Sequence, residues 1–245
     1  MRLLLTGLLV TVALFAAAAC NGGDDARTGT PLPSGRTPAP IAPKDASSLS
    51  RLASTFLDGI DGKYEYSYTG PIGLATEGSL TVYRLGLNDR QDWKATVNEI
   101  ESNTVTILRE DGNNYTCTVA ANYNFCQKAV VGAVEGLRVF SSPVYDALAA
   151  LVVEADMFQF EDLPAEDFTG WRSTCYRATS DTRIGEGRPL SEDIKACFTE
   201  EGVLSYFERK MTPDSSAIDP SMFRLELQST GEAQPSDFEP TGKVN

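Results

Sequence analysis

The chain contains no histidine among its 245 residues. Catalytic sites that use imidazole as a base, and metal sites with histidine ligands, are therefore excluded. Positive charge is also scarce, because 21 lysines and arginines stand against 34 aspartates and glutamates, for a formal net charge of −13 at pH 7. Binding to nucleic acid phosphates needs a basic surface, so this balance argues against nucleic acid as a partner.

The sequence also lacks the short motifs of common enzymes. It contains no Gly-x-Ser-x-Gly, no P-loop, no Gly-x-Gly-x-x-Gly and no Ser-x-x-Lys pair that could replace a histidine base. One acidic run has neither the order of a calcium-binding loop nor a fixed pair of glycosidase acids, and we interpret it as a solvated surface. The run consists of Glu154, Asp156, Glu161, Asp162, Glu166 and Asp167. We therefore expect no enzymatic activity, no metal site and no cofactor.

The first 20 residues are typical of a bacterial export signal. Arg2 gives a positive start, residues 3–19 carry no charge, and a run of alanines precedes Cys20. The stretch Ala17-Ala18-Ala19-Cys20 resembles the bacterial lipobox, which implies a signal peptide over residues 1–19 and lipid attachment to Cys20. Plain secretion and an uncleaved membrane anchor are the alternatives.

The expected location is the extracytoplasmic face of the bacterial membrane. Cleavage after residue 19 removes one positive charge and no negative charge, so the mature chain is repelled by anionic lipid. The lipid on Cys20 must then provide the anchor. Residues 20–44, which are rich in Pro, Gly and Thr, cannot bury enough apolar surface to offset the entropy of ordering, and we predict a disordered tether.

Regular apolar spacing begins after Asp45 and predicts one domain over residues 45–240, with a tail at 241–245. Leu49, Leu52 and Phe56 recur at helical spacing, with Asp45 or Ser47 as N-cap, and a second helix is predicted from Pro143 onward. Phe238 is the expected anchor of the C-terminal part. Alternating residues predict strands near residues 64–68, 78–85, 93–97, 104–108, 115–119, 171–178, 196–199, 203–210 and 223–229. This order indicates an α+β fold, with an antiparallel sheet and helices on one face.

Four cysteines remain after Cys20: Cys117, Cys126, Cys175 and Cys197. An even number in an exported domain predicts two disulfides, for which three connectivities are possible. Pairing sequence neighbours, 117 with 126 and 175 with 197, is the simplest of them. A zinc site or a redox centre would favour closer spacing, such as Cys-x-x-Cys, which is absent.

Five short stretches of the domain form a recognisable set. They are Gly78–Arg84, Tyr115–Cys117, Thr174–Arg177, Ala196–Leu204 and Pro235–Pro240. Together they resemble bacterial lipoproteins of the LolA/LppX-like superfamily, in a membrane-tethered branch, over about residues 46–240. The resemblance implies a strongly curved antiparallel half-barrel sheet with helices covering its concave side. It also implies an apolar cavity between sheet and helices that takes lipid acyl chains.

This resemblance leads us to expect a carrier or sensor that binds a lipid, a lipoprotein or another hydrophobic ligand by burial. The candidate pocket residues are Val144, Leu148, Leu151, Val152 and Tyr66. The aromatic residues Tyr64, Tyr66, Tyr68, Trp93 and Trp171 suit either a ligand platform or ordinary sheet packing. The alternative function is a structural or protein-interaction module of the cell envelope with a filled core and no ligand. A cavity of several hundred Å³ lined by Leu, Val and Phe would favour the ligand-binding function.

Overall fold

The structure, a computed structural model, describes residues 47–72, 75–97, 100–120, 123–128, 143–184, 188–213 and 221–244. The predicted signal peptide, Cys20 and the tether at 20–44 lie outside these residues and stay predictions. Within the described residues, no helix combines the length and the apolar content that crossing a bilayer requires.

Two α-helices lie where the apolar spacing predicts them. Helix α1 spans Ser48–Asp58, and the Oγ of Ser47 caps it by accepting a hydrogen bond from the backbone N–H of Ser50 at 3.1 Å. The N–H of Gly59 closes the other end by donating to the carbonyl of Thr55. Helix α2 spans Pro143–Val153. Proline is tolerated there because the first turn of a helix has no partner for its N–H group.

Twelve strands of the described residues form one sheet. Their bounds are β1 Gly62–Ile72, β2 Ala75–Leu85, β3 Asn88–Val97, β4 Ile100–Leu108, β5 Tyr115–Ala120, β6 Tyr123–Lys128, β7 Gln159–Phe168, β8 Trp171–Ile184, β9 Arg188–Phe198, β10 Leu204–Pro213, β11 Ser221–Gly231 and β12 Lys243–Val244. The strand order is β12-β6-β5-β4-β3-β2-β1-β11-β10-β9-β8-β7, which leaves β12 and β7 at the edges of an open sheet. Every neighbouring pair is antiparallel except β12 with β6. The α+β class is thus confirmed, and the strong curvature stays a prediction.

The central strand β1 shows why the sheet has two different faces. Tyr64, Tyr66 and Tyr68 are buried, whereas Glu65 and Ser67 between them are half-buried on the opposite side. Successive side chains of a strand point to opposite faces, so all three tyrosines lie on the face that α1 and α2 cover. They join a large cluster between helices and sheet, which we call the main core.

A smaller cluster, the second core, lies on the other face of β2 to β6. Its buried members are Val105, Ile107, Cys117, Cys126 and Phe238. Residues 232–244, the C-terminal segment, cover this face, where Phe238 is 3% exposed as an anchor should be. Arg90 fixes the segment by donating from Nη1 to the carbonyl of Asp237 at 2.7 Å.

Two strands were not predicted from the sequence. The acidic run is mostly exposed, as expected of a solvated surface, but belongs largely to the edge strand β7, and the predicted tail at 241–245 contains β12. Acidic residues are disfavoured in most strands but are common on exposed edges, where they prevent pairing with other chains. β12 has only two residues, too few to produce a sequence pattern.

Both disulfides join residues that lie directly opposite each other on neighbouring strands. Cys117 and Cys126 connect β5 to β6, and Cys175 and Cys197 connect β8 to β9. These are the pairs that local pairing predicts. All four cysteines are fully buried, so each bridge lies beneath packed side chains.

Candidate functional site

The five candidate pocket residues lie together in the main core. Val144, Leu148, Leu151 and Val152 on α2 are 0–4% exposed, and Tyr66 on β1 is 1% exposed. The structure therefore brings the predicted residues into one cluster. Their use as a ligand pocket stays a prediction.

Helix α2 has almost no polar side of its own. Between Pro143 and Val153 the only polar side chains belong to Tyr145 and Asp146. A helix of this composition is suited to being covered on most sides. It packs against α1, where the Oγ of Ser50 donates to the carbonyl of Leu151 at 2.8 Å. Its last residue, Val153, is 61% exposed.

The three tyrosines of β1 differ in how their hydroxyl groups are satisfied. The Oη of Tyr64 lies 3.1 Å from the carbonyl oxygen of Ile60 and 3.0 Å from that of Asp61. The hydroxyls of Tyr66 and Tyr68 are buried and have no hydrogen-bond partner among the described residues. Burial raises the pKa of both phenols above the ordinary value. Buried hydroxyls are normally hydrogen-bonded, so these two are exceptions that call for an explanation.

The aromatic residues that suit either a ligand platform or sheet packing all lie in or against the main core. Tyr68 stacks on Phe223 with ring centroids 6.0 Å apart and meets Trp93 edge-on at 5.5 Å. Trp93 and Trp171 are half-buried and pack against the main core. These contacts are those of ordinary sheet packing, which explains the aromatic residues without a ligand.

Arg84 on β2 is a buried charge that ties both helices to the sheet. Its Nε donates to Asp89 on β3 at 3.1 Å, its Nη1 donates to the carbonyl of Phe56 in α1, and its Nη2 donates to the hydroxyl of Tyr145 in α2 at 2.8 Å. Burial by itself would lower the pKa of Arg84, but the nearby Tyr145 and Asp89 oxygens outweigh it and raise the pKa. Sequence reasoning missed this residue. The one sequence signal for its burial is that Arg84 continues the alternation of the buried residues Leu80 and Val82 along β2.

A groove of about 620 Å³ lies over strands β2 to β5. Two cross-strand rows line most of it. One row, aligned in register, contains Gly78, Ala95, Ser102 and Ala120. The next row contains Ser79, Lys94, Asn103 and Val119, whose side chains point to the opposite face of the sheet, and Thr96 and Glu101 complete the part of the lining that the structure describes. The groove has the volume expected of a ligand site, but its described lining is not the predicted set of Leu, Val and Phe, so that lining does not suit an acyl chain.

Gly78 lines the groove and also lies close to Tyr68 of the main core. A Cβ atom at this position would lie 2.1 Å from the backbone oxygen of Lys94 and 2.7 Å from the Oη of Tyr68. Only glycine fits between them. The unpartnered hydroxyl of Tyr68 therefore ends against a residue that lines the groove.

The groove combines opposite charges with a buried acceptor. Lys94 and Glu101 are exposed, and neither forms an ion pair with another residue in the described part of the chain. Lys94 also faces Glu65, whose pKa is lowered by Lys63 at 2.5 Å, by Ser229 and, to a lesser degree, by Lys94. The Oδ1 of Asn103 is buried and unpartnered among the described residues. Across the same residues, no three acidic or cysteine side chains are grouped to hold a metal ion.

No protein-family model matches the chain, and no curated protein matches it by sequence. Among solved structures, it is similar to MucB at 10% identity and a TM-score of 0.37, over 77% of this chain and 59% of MucB. The complex of MucB with MucA(peri) gives the same identity and TM-score, over 80% and 58% of the two chains. The chain thus spans less than two thirds of the length of MucB.

A third solved structure is described as an outer membrane lipoprotein-sorting protein domain from Vibrio parahaemolyticus. It shares 10% identity with this chain at a TM-score of 0.26, over 78% of this chain and 94% of that domain.

Proposed function

We propose that the chain is a LolA/LppX-like, membrane-tethered lipoprotein that binds a lipid or another hydrophobic ligand between its helices and its sheet. The observation that carries this proposal is the pair of unpartnered hydroxyls, on Tyr66 and Tyr68, inside the main core. An ester carbonyl or hydroxyl of an amphiphile would supply the missing partner. Leaving each hydroxyl unpaired costs about 1–3 kcal/mol, which a ligand of this kind recovers.

The surroundings of the two hydroxyls suit the apolar part of such a ligand. Leu148 and Leu151 of α2 are buried in the same cluster, and α2 has few polar groups that would be stranded if it moved from the sheet. Acyl chains that enter between these layers leave water, at about 25 cal/mol per Å² of buried apolar surface. The role proposed for the protein is transfer or sensing of the ligand by burial.

Export and anchoring belong to the same proposal. Two buried disulfides are typical of proteins in an oxidising compartment outside the cytoplasm. The lipid on Cys20 would hold the acidic domain at a membrane that otherwise repels it. A Cys20→Ser variant should then move from the membrane fraction to the soluble extracytoplasmic fraction, and retention at the membrane would contradict anchoring through Cys20.

A protein-interaction module with a filled core is the second candidate. The observation in its favour is that Leu148, Leu151 and Val144 are 0–1% exposed in a closely packed cluster. In such a molecule the sheet and its edges, not an internal cavity, would carry the function. This candidate requires that the protein folds despite the stability lost at the unpaired hydroxyls of Tyr66 and Tyr68.

Native mass spectrometry separates the two candidates. The mature chain carrying Cys20→Ser is purified from a bacterial host, and its co-purifying lipid is extracted and identified. Leu148→Trp should block the site and reduce lipid occupancy at least severalfold. Ile107→Trp is the matched control, because Ile107 is equally buried but belongs to the second core. A lipid-free mass that also fails to take up added fatty acid and phospholipid would overturn the proposal.

A further inference from the structure

The groove over β2 to β5 presents a cation and an anion side by side. Lys94 pairs across the strands with Asn103, and Thr96 pairs with Glu101. Because Lys94 and Thr96 are two residues apart, as are Glu101 and Asn103, all four side chains lie on one face of the sheet. Lys94 and Glu101 are therefore diagonal neighbours, at a spacing that one small molecule can bridge.

The lining excludes several classes of ligand. Among the lining residues that the structure describes, Val119 has the largest aliphatic side chain, so an acyl chain would gain little by burial against them. A purely anionic group would meet Glu101, and a purely cationic group would meet Lys94. The groove offers the ammonium of Lys94, the carboxylate of Glu101 and the hydroxyl and amide groups of Ser79 and Asn103. A ligand that uses all of them needs both hydrogen-bond donors and acceptors.

We propose that the groove binds a zwitterionic group, with its anionic end at Lys94 and an ammonium end at Glu101 and Asn103. The ammonium supplies N–H donors for the Glu101 carboxylate and for the unpartnered Oδ1 of Asn103. The anionic oxygens accept from the Lys94 ammonium and from the neighbouring hydroxyl of Ser79, its cross-strand partner. Charge-assisted hydrogen bonds of this kind are stronger than neutral ones.

This site stands on its own residues and is separate from the site of the proposed function. Lys94 pairs with Ser79, whereas Leu80 faces the main core, so the four side chains lie on the opposite face of the sheet from the layer in which an acyl chain would be buried. The zwitterion can be the headgroup of a lipid in a membrane or a free molecule of the same chemistry. The two sources share one recognition chemistry at Lys94 and Glu101.

The test measures binding to the mature Cys20→Ser chain by titration with NMR detection. The free probes are glycerophosphoethanolamine, glycerol phosphate, ethanolamine and maltose, and the lipid probe is monomeric dihexanoyl phosphatidylethanolamine. We expect the zwitterion to bind more tightly than the anion, the cation or the sugar. Lys94→Glu and Glu101→Lys should each weaken it about tenfold, because reversal replaces an attraction by a repulsion.

The double variant Lys94→Glu with Glu101→Lys restores one charge of each sign and should recover most of the affinity. Lys210→Glu and Glu110→Lys, at exposed positions outside the groove, are the matched controls. Equal binding of glycerol phosphate or maltose, no binding of any probe, or charge reversals without effect would overturn the proposal. Binding of both zwitterionic probes indicates a site for free ligand, and binding of the lipid probe alone indicates a headgroup site.

Leu148→Trp separates this inference from the proposed function. The substitution lies in the main core, away from the groove lining, so it should weaken lipid capture without changing the binding of glycerophosphoethanolamine. If Leu148→Trp leaves lipid occupancy intact while the charge reversals act as expected, the proposed ligand site between helices and sheet is contradicted and the zwitterion site in the groove is supported. If Leu148→Trp lowers lipid occupancy while the charge reversals have no effect, the ligand site between helices and sheet is supported and the zwitterion site is contradicted.

Discussion

Arg84 and Asp89 form an ion pair, with 3.1 Å between Nε and Oδ2, at a place where their side chains are only 1% and 3% exposed. The two strands that carry them are joined by a two-residue turn, and the pair lies directly across the ladder from β2 to β3. Through Phe56 and Tyr145, the same guanidinium also reaches both helices. The charge therefore fixes the helical layer at a defined place on the sheet.

Removing one member of this pair should destabilise the protein more than removing both. Arg84→Met or Asp89→Leu alone leaves an uncompensated buried charge, and we expect a loss of about 3–5 kcal/mol in the free energy of unfolding. The double variant replaces both charges with apolar groups and should recover a substantial part of that loss. Urea unfolding of the four proteins gives the coupling energy, and strictly additive losses would contradict the pairing.

The two tyrosines Tyr64 and Tyr66 should respond oppositely to loss of their hydroxyl groups. Tyr66→Phe removes a buried hydroxyl without a partner, so the unfolding free energy of the ligand-free protein should rise by about 1 kcal/mol. Tyr64→Phe removes a hydroxyl that donates to the backbone carbonyls of Ile60 and Asp61, so the free energy of unfolding should fall by roughly 0.5–1.5 kcal/mol. Thermal unfolding after delipidation tests both, and a destabilising Tyr66→Phe would mean that its hydroxyl has a partner.

Alkaline pH should destabilise the fold through the buried tyrosines. Burial raises the pKa of Tyr66 well above the ordinary value of 10.0, and burial with the neighbouring Glu208 raises that of Tyr206. In the unfolded chain both phenols ionise near pH 10 and release protons that the folded chain still holds. Their contribution to stability is therefore complete below pH 10 and is lost progressively as the pH rises above it.

Urea midpoints measured from neutral pH to about pH 11.5 test this dependence. Ionisation of Tyr66 and Tyr206 should not change the midpoint below about pH 10 and should lower it above that pH. Tyr66→Phe and Tyr206→Phe should each make the fall shallower, by up to about 1.4 kcal/mol per pH unit. Slopes identical to that of the parent protein would show that these two phenols ionise equally in both states.

Sequence patterns located the elements whose burial is periodic. The spacing of Leu49, Leu52 and Phe56 predicted α1, and the alternation of the tyrosines predicted β1, because in each case one face is buried and the other is not. The edge strand β7 carries little such contrast, since most of its side chains are exposed or half-buried. An edge strand with one neighbour has no burial pattern strong enough to read.

The candidate site was predictable only in part, for a different physical reason. Leu148 and Leu151 were predicted to lie together because helical spacing fixes their common face. Lys94 and Glu101 come together through the pairing of β3 with β4, and no local sequence rule gives that register. Arg84 was missed because a charged side chain at a buried strand position becomes recognisable only when its partners are known.

The two disulfides should differ in what their removal costs. The bridged residues are 9 apart for Cys117–Cys126 and 22 apart for Cys175–Cys197. Loop entropy in the unfolded chain then predicts losses of about 2.6 and about 3.4 kcal/mol for the respective double alanine variants. Guanidinium unfolding of the two variants gives the comparison. A larger loss for the shorter loop would show that native packing, not loop closure, decides the cost.

Although Phe238 lies near the C-terminus, its removal should destabilise the second core as strongly as the removal of a central core residue. Phe238 is 3% exposed and packs with Val105, Ile107 and the Cys117–Cys126 bridge, so Phe238→Ala should cost about 3–5 kcal/mol locally. Glu239 is the matched control. Its carboxylate meets Arg109 at 3.0 Å but is 62% exposed, so Glu239→Ala should change stability by less than about 0.5 kcal/mol.

Hydrogen exchange distinguishes a local effect of Phe238→Ala from a global one. Because the C-terminal segment covers only one face of β2 to β6, faster exchange should be concentrated in β4, β5 and β6. Amides of β8 to β10, which lie on the far side of β1 and β11 in the sheet, should keep their protection. Uniform loss of protection in both halves would mean that the second core and the main core unfold together, and the C-terminal segment would then stabilise the whole domain.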